Sequence, residues 1–224
     1  MSRTNHAKTS RPNSQKHSRE PAKLPDASVD YREQLCNGGE IGPITHVQLA
    51  EAEITSLQGI MLDLDSKLFR REIVPDTLGK NPKKFYEQIV SKWLSRHPVL
   101  SRAEVRNSGN GLHVILRLDQ PLEFSTEGER ERWSAIVRVL QKLLPTDPNA
   151  PGITALTRSI GSINGKNGKN GKKVTRLHKD QRITAEEITS LFDEVRTAPF
   201  RTVATILSRS RSMPRRPAIP NRIP

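Results

Sequence analysis

The chain is poor in cysteine and in aromatic residues. Cys36 is the only cysteine among 224 residues, which excludes an internal disulfide and a zinc site built from several cysteines. Aromatic residues make up 4% of the chain and hydrophobic residues 33%. These fractions are low for a chain that is globular throughout, so we expect one domain of ordinary size with disordered flanking segments.

Long apolar runs are missing as well. The sequence has no stretch of about 18 apolar residues, so it predicts no membrane-spanning helix. Residues 1–20 are polar and lack the apolar centre of a secretory signal. We therefore expect a soluble, cytoplasmic protein with no membrane partner, and the single cysteine suits that reducing compartment.

Acidic residues are scarce in two parts of the chain, and this scarcity locates the formal net charge of +13. Residues 158–182 contain eight basic residues and one acidic residue, and residues 196–224 contain seven arginines and no acidic residue. Residues 41–157 and 183–194 together hold 15 basic and 18 acidic residues. A phosphate-rich polyanion is the natural partner of such a loop and tail, and the alternative is that they only aid solubility.

Composition divides the chain into three parts. Residues 1–40 are rich in Ser, Pro, Asn, Lys and Arg without a sustained apolar period, which predicts a disordered N-terminal segment. Residues 208–224 contain four prolines and are predicted to be a disordered Arg/Pro-rich tail. Residues 41–207 are predicted to form the folded domain.

Hydrophobic spacing and turn residues predict seven elements in this domain. They are strands over 57–65, 103–107, 112–118 and 153–160, and helices over 82–96, 126–144 and 184–196. Capping patterns mark the helix starts: Asn81 before Pro82, Thr126 with Glu129, and Thr184 with Glu187.

The order of these elements predicts an α+β fold with an RRM-like or ferredoxin-like βαββαβ core, added helices and disordered basic tails. In that topology the first and third strands lie side by side in the middle of the sheet. Asp63 and Asp65 end the first strand, and His113 begins the third. We therefore expect the two carboxylates and the imidazole to be neighbours.

Two short motifs carry residues suited to metal and phosphate. Asp63 and Asp65 share one face of a strand, and hard cations such as Mg²⁺ prefer such oxygen ligands. A solvent-exposed strand end would look the same, and a glycosyltransferase metal motif has the same spelling. The second motif runs Ser-Gly-Asn-Gly-Leu-His from Ser108 to His113. Its glycines let the backbone approach an anion, although a hairpin turn explains them equally well.

A third motif is split between Asp147 and a basic loop. Asp147 follows the 126–144 helix in a turn, where aspartate is common for structural reasons. Arg158 and Lys166 frame the sequence Arg-Ser-Ile-Gly-Ser-Ile-Asn-Gly-Lys, which offers several polar groups to a phosphate. Because Asn-Gly-Lys occurs three times here, a later lysine could take the place of Lys166, and a solvated low-complexity loop is the alternative.

Together these motifs resemble those of the archaeo-eukaryotic primase superfamily, in particular its bifunctional primase–polymerase (Prim-Pol) and plasmid-replication primase branch. The resemblance covers residues 57–173 and rests on Asp63-Leu64-Asp65, Ser108-x-x-Gly-x-His113, Asp147 and Arg158-x-x-Gly-Ser-x-Asn-x-Lys166. It implies that 41–207 is a catalytic domain with an RRM-like unit. It also implies that the protein is a DNA primase, a DNA polymerase, or both.

The resemblance further implies roles for single residues. The catalytic residues, which would hold two Mg²⁺ or Mn²⁺ ions, would be Asp63, Asp65 and Asp147. Ser108 and His113 would contact the phosphates of the incoming nucleotide, and Arg158 and Lys166 would add positive charge near the triphosphate or the template. The implied partners are nucleoside triphosphates, a single-stranded or primed DNA template, and a replicative helicase acting in trans.

Two other functions stay open. The same fold could be a catalytically silent nucleic-acid-binding module for replication initiation, although such a module would gain from losing acidic residues near DNA. A metal-dependent nuclease would share the aspartate pair, but it has no obvious need for a Ser/His strand that binds a triphosphate.

Overall fold

The computed structural model of the chain describes residues 29–43, 47–69, 75–165 and 171–197. Its strands are β1 (Tyr31–Gln34), β2 (Ile41–Pro43), β3 (Ser56–Leu64), β4 (Glu104–Asn107), β5 (Leu112–Glu123), β6 (Leu156–Arg158) and β7 (Thr175–His178). Its helices are α1 (Asp76–Gly79), α2 (Pro82–Phe85, Tyr86–Val90 and Ser91–Leu94 in one run), α3 (Glu127–Leu143) and α4 (Ala185–Thr197). Single 3₁₀ turns lie at Glu51–Glu53, Ser66–Leu68, Leu100–Arg102 and Gly152–Thr154.

The strands form two sheets. One has four strands in the order β3-β5-β4-β7, and the other has three in the order β2-β1-β6, with every strand pair antiparallel. The predicted α+β class with a ferredoxin-like core is confirmed, and so is the pairing of the first and third predicted strands. Asp63 on β3 lies opposite His113 on β5.

The two faces of the four-stranded sheet have different neighbours. Leu62 and Val114 are fully buried on one face, in the main core with residues of α2, α3 and α4. Met61 and Ile115 point to the other face and pack with Leu35 in a smaller core. Burial on both faces explains the uninterrupted apolar run from Ile60 to Leu62 in β3. Asp63 and His113 lie on this second face too, two residues along their strands from Met61 and Ile115 and away from the helices.

The helix predictions are confirmed together with their caps. The Asn81 side chain accepts a hydrogen bond from the Lys84 amide, with Pro82 in the first turn of α2. Thr126 and Glu129 form a reciprocal capping box at the start of α3. None of the helices in the described ranges is long and apolar enough to cross a membrane.

The strand predicted over 153–160 is shorter than expected. A 3₁₀ turn at Gly152–Thr154 precedes it, and β6 covers three residues. Gly152 and Gly161 have positive φ angles of 69° and 90°, so the chain leaves the extended conformation on both sides of β6. β6 pairs with β1 and not with a strand of the four-stranded sheet.

The segment 1–40, predicted to be disordered, contains β1. Arg32 lies opposite Gly42 of β2 and Arg158 of β6, and a bridge between Cys36 and Leu57 continues to β3. The prediction is therefore wrong for residues 29–40, while residues 1–28 and the predicted tail 208–224 lie outside the described residues. β1 shows no apolar alternation because neighbours hold its backbone on both edges and most of its side chains are half-buried.

Candidate active site

The end of β3, the start of β5 and the end of β6 surround a cleft of about 1050 Å³. Six of the seven residues predicted for the site line this cleft: Asp63, Asp65, Ser108, His113, Asp147 and Arg158. The seventh, Lys166, lies outside the described residues. Tertiary structure thus brings together side chains that are up to 95 positions apart in the sequence, from Asp63 to Arg158.

A backbone hydrogen bond places Asp147 beside Asp63, and Asp65 follows two residues after Asp63. Asp63 is half-buried in β3, and Asp65 follows the strand as the cap of the next turn, where its Oδ1 accepts a hydrogen bond from the Lys67 amide at 2.9 Å. The backbone amide of Asp147 donates to the carbonyl oxygen of Asp63 at 2.8 Å. The Asp147 carboxylate in turn accepts from the Asn149 amide at 2.9 Å, which fixes its turn.

These carboxylates suit a hard divalent cation in their chemistry, because carboxylate oxygen is the ligand that Mg²⁺ and Mn²⁺ prefer. Within the described ranges, however, no group of three or more His, Cys, Asp or Glu side chains is spaced to enclose a metal ion. Mg²⁺ usually binds through one or two carboxylates and keeps waters and substrate phosphates as further ligands. The donor set therefore fits a divalent cation that takes its remaining ligands from water or phosphate oxygens.

The turn between β4 and β5 is a tight hairpin that holds its own polar groups. The Ser108 amide donates to the Gly111 carbonyl at 3.0 Å, and the Ser108 hydroxyl donates to the same oxygen at 3.2 Å. The Gly109 amide donates to Asn107 Oδ1 at 2.9 Å. These two amides are used inside the turn, so they are not available to an anion that approaches the glycines. Ser108 would have to rotate its hydroxyl to donate to a phosphate.

The imidazole of His113 is held in one orientation. It is 3% exposed, and its Nδ1 lies 2.9 Å from the hydroxyl of Thr157 on β6, a residue with no exposed surface. This contact fixes the ring plane and leaves the role of each ring nitrogen to the tautomer. β6 therefore orients the histidine that the sequence places on β5, although the two strands do not pair.

Arg158 brings a buried positive charge to the cleft. The residue is 5% exposed, its Nε has no hydrogen-bond partner, and that atom lies 3.5 Å from Asp30 Oδ1. Burial and the neighbouring Arg32 lower the pKa of its guanidinium, and the charges of Asp30 and Asp63 oppose this. An arginine keeps its proton under such conditions, so the cleft holds a cation beside the aspartates.

Several residues of the site were not predicted from the sequence. Lys67 and Lys80 line the cleft and add positive charge to its rim. Lys172 also lines it, and it is one of the later lysines that the Asn-Gly-Lys repeats left as an alternative to Lys166. Asp30, the counter-ion of Arg158, also accepts a hydrogen bond from the Gly165 amide at 3.2 Å and lies in the segment predicted to be disordered. No sequence signal identified it, because a lone aspartate in a polar stretch has no pattern.

Asn164 closes the wall behind the hairpin. Its buried side-chain amide donates to the Ser108 carbonyl at 2.7 Å, so the loop after β6 is tied to the turn after β4. A Cβ atom placed on Gly109 would lie 2.9 Å from the Asn164 Cβ, closer than real Cβ atoms approach. Gly109 also has a φ of 101°, which a side chain disfavours.

We expect Gly109→Ala to lower the free energy of unfolding by ~2–4 kcal/mol, through backbone strain and the clash with Asn164. Gly38→Ala serves as a control for strain alone, because Gly38 has a φ of 88° and open space around its Cβ position. Gly128→Ala, in the first turn of α3 with open space, should be neutral or stabilising. Urea unfolding measures all three, and equal losses for Gly109 and Gly38 would contradict the tight contact with Asn164.

No known protein-family model matches the chain, and no curated protein matches it. Among solved structures, the fold is similar to the AEP domain of the primase-polymerase (PrimPol) of cyanophage S-2L. The similarity covers 74% of this chain and 89% of that chain, with 14% sequence identity and a TM-score of 0.41. At this identity and TM-score, the similarity concerns the fold alone.

Proposed function

We propose that the protein is a template-dependent nucleotidyltransferase, a DNA primase, a DNA polymerase or both, of the archaeo-eukaryotic primase type. The observation that carries the proposal is the composition of one cleft. Carboxylates from two distant segments, Asp63 with Asp65 and Asp147, line it together with His113 and the buried Arg158. Carboxylates for cations beside cations for phosphates are what transfer of a nucleotide from a triphosphate needs.

The three aspartates would hold Mg²⁺ or Mn²⁺. Such ions, when bound, lower the pKa of an attacking hydroxyl and neutralise charge on a leaving pyrophosphate. The carboxylates themselves concentrate cations at the end of β3. Because the backbone amide of Asp147 donates a hydrogen bond to the backbone carbonyl of Asp63, the two side chains start from neighbouring backbone positions.

The basic residues of the cleft would bind the triphosphate. Arg158 is already desolvated, so a phosphate that meets it loses little further hydration energy on the protein side. Thr157 orients His113, which reduces the entropy lost when the imidazole contacts a phosphate oxygen. The role of Lys166 stays a prediction, and Lys67, Lys80 and Lys172 add charge at the rim. A helicase partner also stays a prediction.

The test is primer extension with the full chain. A labelled primer on a DNA template of defined sequence is incubated with one nucleoside triphosphate at a time and with Mg²⁺ or Mn²⁺. We expect addition only of the nucleotide complementary to the template and complete loss of addition when the metal is chelated.

Each other outcome identifies an alternative. Binding of the template without any nucleotide addition, in either metal, would support the silent binding module. Cleavage of the template without addition would support a nuclease. The same reaction on an unprimed template, with ribonucleotides and then deoxynucleotides, separates de novo priming from extension.

A further inference from the structure

Exposed basic residues lie on β7 and on the residues that flank it, at the edge of the four-stranded sheet. We call this surface the β7 strip, and it consists of Lys172, Lys173, Arg176 and Lys179. β7 pairs with β4 on one side and is the last strand of the sheet. All four residues of the strip are accessible to solvent.

Few acidic groups offset this charge. The one acidic residue between 171 and 182 is Asp180, which pairs with Arg182 at 3.3 Å. Arg176 lies 3.4 Å from Glu104, yet 32% of its side chain stays exposed. In the described part of the chain, the three lysines of the strip form no salt bridge. The strip is therefore a row of cations open to an external anion.

The strip begins inside the cleft. Lys172 lines the cleft, and its backbone carbonyl accepts a hydrogen bond from the backbone N–H of Asn164 at 2.9 Å. Lys173 is bridged to Ile163, so the start of the strip has a fixed backbone. Bonds between neighbouring strands thus hold the strip in place relative to the candidate active site.

The strand register gives the distance between the β7 strip and the aspartates. Asp63, His113, Arg106 and Arg176 are successive cross-strand partners on β3, β5, β4 and β7. Three strand spacings of ~4.8 Å place the Arg176 backbone on the order of 14 Å from that of Asp63. This is a few nucleotides of chain, so one nucleic acid strand can contact both.

We propose that the β7 strip binds the phosphates of a single-stranded DNA segment as it enters or leaves the cleft. The assignment of that segment as the template rests on the proposed function, because templated addition needs an unpaired base next to the aspartates. In proteins that bind single strands without reading sequence, positively charged side chains follow the phosphate backbone. Binding through phosphates also makes the affinity depend on salt.

The test compares two double variants of the full chain with equal loss of charge. Lys173→Gln with Lys179→Gln removes two cations of the strip. Lys92→Gln with Arg132→Gln removes two exposed cations on α2 and α3, in the helix layer. Fluorescence anisotropy with a labelled 20-nucleotide oligo-dT and with a duplex of equal length, without metal or nucleotide, measures Kd over a range of salt concentrations.

We expect the strip variant to bind the single strand about tenfold more weakly at low salt. Its slope of log Kd against log salt should fall by ~1.4, since each phosphate contact on a single strand contributes ~0.7. The control should change less than twofold. Equal losses in both variants, an unchanged slope in the strip variant, or a loss confined to the duplex would overturn the proposal.

The same proteins keep the two proposals separate. If wild-type protein extends primers while the strip variant binds single strands normally, the proposal that the β7 strip binds DNA is wrong and the proposed function stands. If wild-type protein does not extend primers while the strip variant loses single-strand binding, the β7 strip is confirmed as a DNA-binding surface and the proposed function fails.

Discussion

Replacing Asp63 with asparagine is expected to reduce templated nucleotide addition by ~10³-fold or more, since a lost metal ligand removes several kcal/mol of transition-state stabilisation. The change keeps the size of the side chain and removes its charge. The bond that joins this position to Asp147 uses the Asp63 carbonyl, so it survives the substitution. We therefore expect the thermal unfolding midpoint to stay within a few degrees of the wild type.

Asp119→Asn is the matched control. Asp119 lies exposed towards the far end of β5, away from the cleft, and its carboxylate accepts from the Gln120 amide. Primer extension by this variant should match the wild type within twofold. Asp63→Asn should still bind oligo-dT as the wild type does, because the aspartate is not part of the strip. Full extension activity in Asp63→Asn would refute the assignment of this cleft as the active site.

The second large effect concerns a buried ionic network that joins the two sheets. Glu104 on β4 is 1% exposed and pairs with Arg106 at 2.6 Å and with Arg117 at 2.8 Å. The same two arginines each reach a carboxylate oxygen of Glu33 on β1 at 2.7 Å. Arg106 also donates to the Arg158 carbonyl at 2.9 Å, so the network positions the end of β6 at the cleft.

Glu104→Gln is expected to lower the free energy of unfolding by ~3–5 kcal/mol at pH 7, because it leaves the buried guanidinium groups of Arg106 and Arg117 to share the single carboxylate of Glu33. Glutamine has nearly the same shape, so the loss reports charge and not volume. Glu123→Gln, on the exposed end of β5, should change stability by less than ~0.5 kcal/mol. Urea unfolding at constant pH measures both. A loss below that of the control would mean that the network does not stabilise the sheets.

The contacts of Glu104 with Arg106 and Arg117 also predict how the free energy of unfolding changes with pH. Burial alone would raise the pKa of Glu104, but Arg106 and Arg117 outweigh it and lower the pKa from 4.5 to about 2. A lowered pKa in the folded state stabilises the protein above pH 4.5, and this stabilisation is lost as the pH falls through about 2. The difference in unfolding free energy between wild type and Glu104→Gln should therefore shrink from pH 5 towards pH 2. A difference that stays constant over this range would contradict the lowered pKa.

The elements predicted from the sequence are those with strong local signals. α3 has a capping box at Thr126 and Glu129 and an apolar stripe, and both act within a few residues of chain. β3 is an apolar run that ends at polar residues, and its length alone suits a strand. The pairing of β3 with β5 was predictable because the order of elements leaves few compact arrangements.

The weak elements could not be predicted, because distant parts of the chain stabilise them. β1 is polar and four residues long, and it exists because β2 and β6 pair with its two edges. Glu33 looks like a surface residue in the sequence, yet in the fold it bonds two arginines from other strands. Neither fact has a signal within the local sequence.

The sequence by itself determined the inventory of the candidate site: the aspartates, the Ser108–His113 turn and Arg158, which local motifs single out by residue type and spacing. Tertiary structure decided which groups are available and what holds them. In the fold, the Ser108 and Gly109 amides form hydrogen bonds inside their own turn. Thr157 orients His113, and Asp30 lies beside Arg158 as its counter-ion. The physical reason is that hydrogen bonds and ion pairs depend on distances of a few ångströms, which only the folded chain sets.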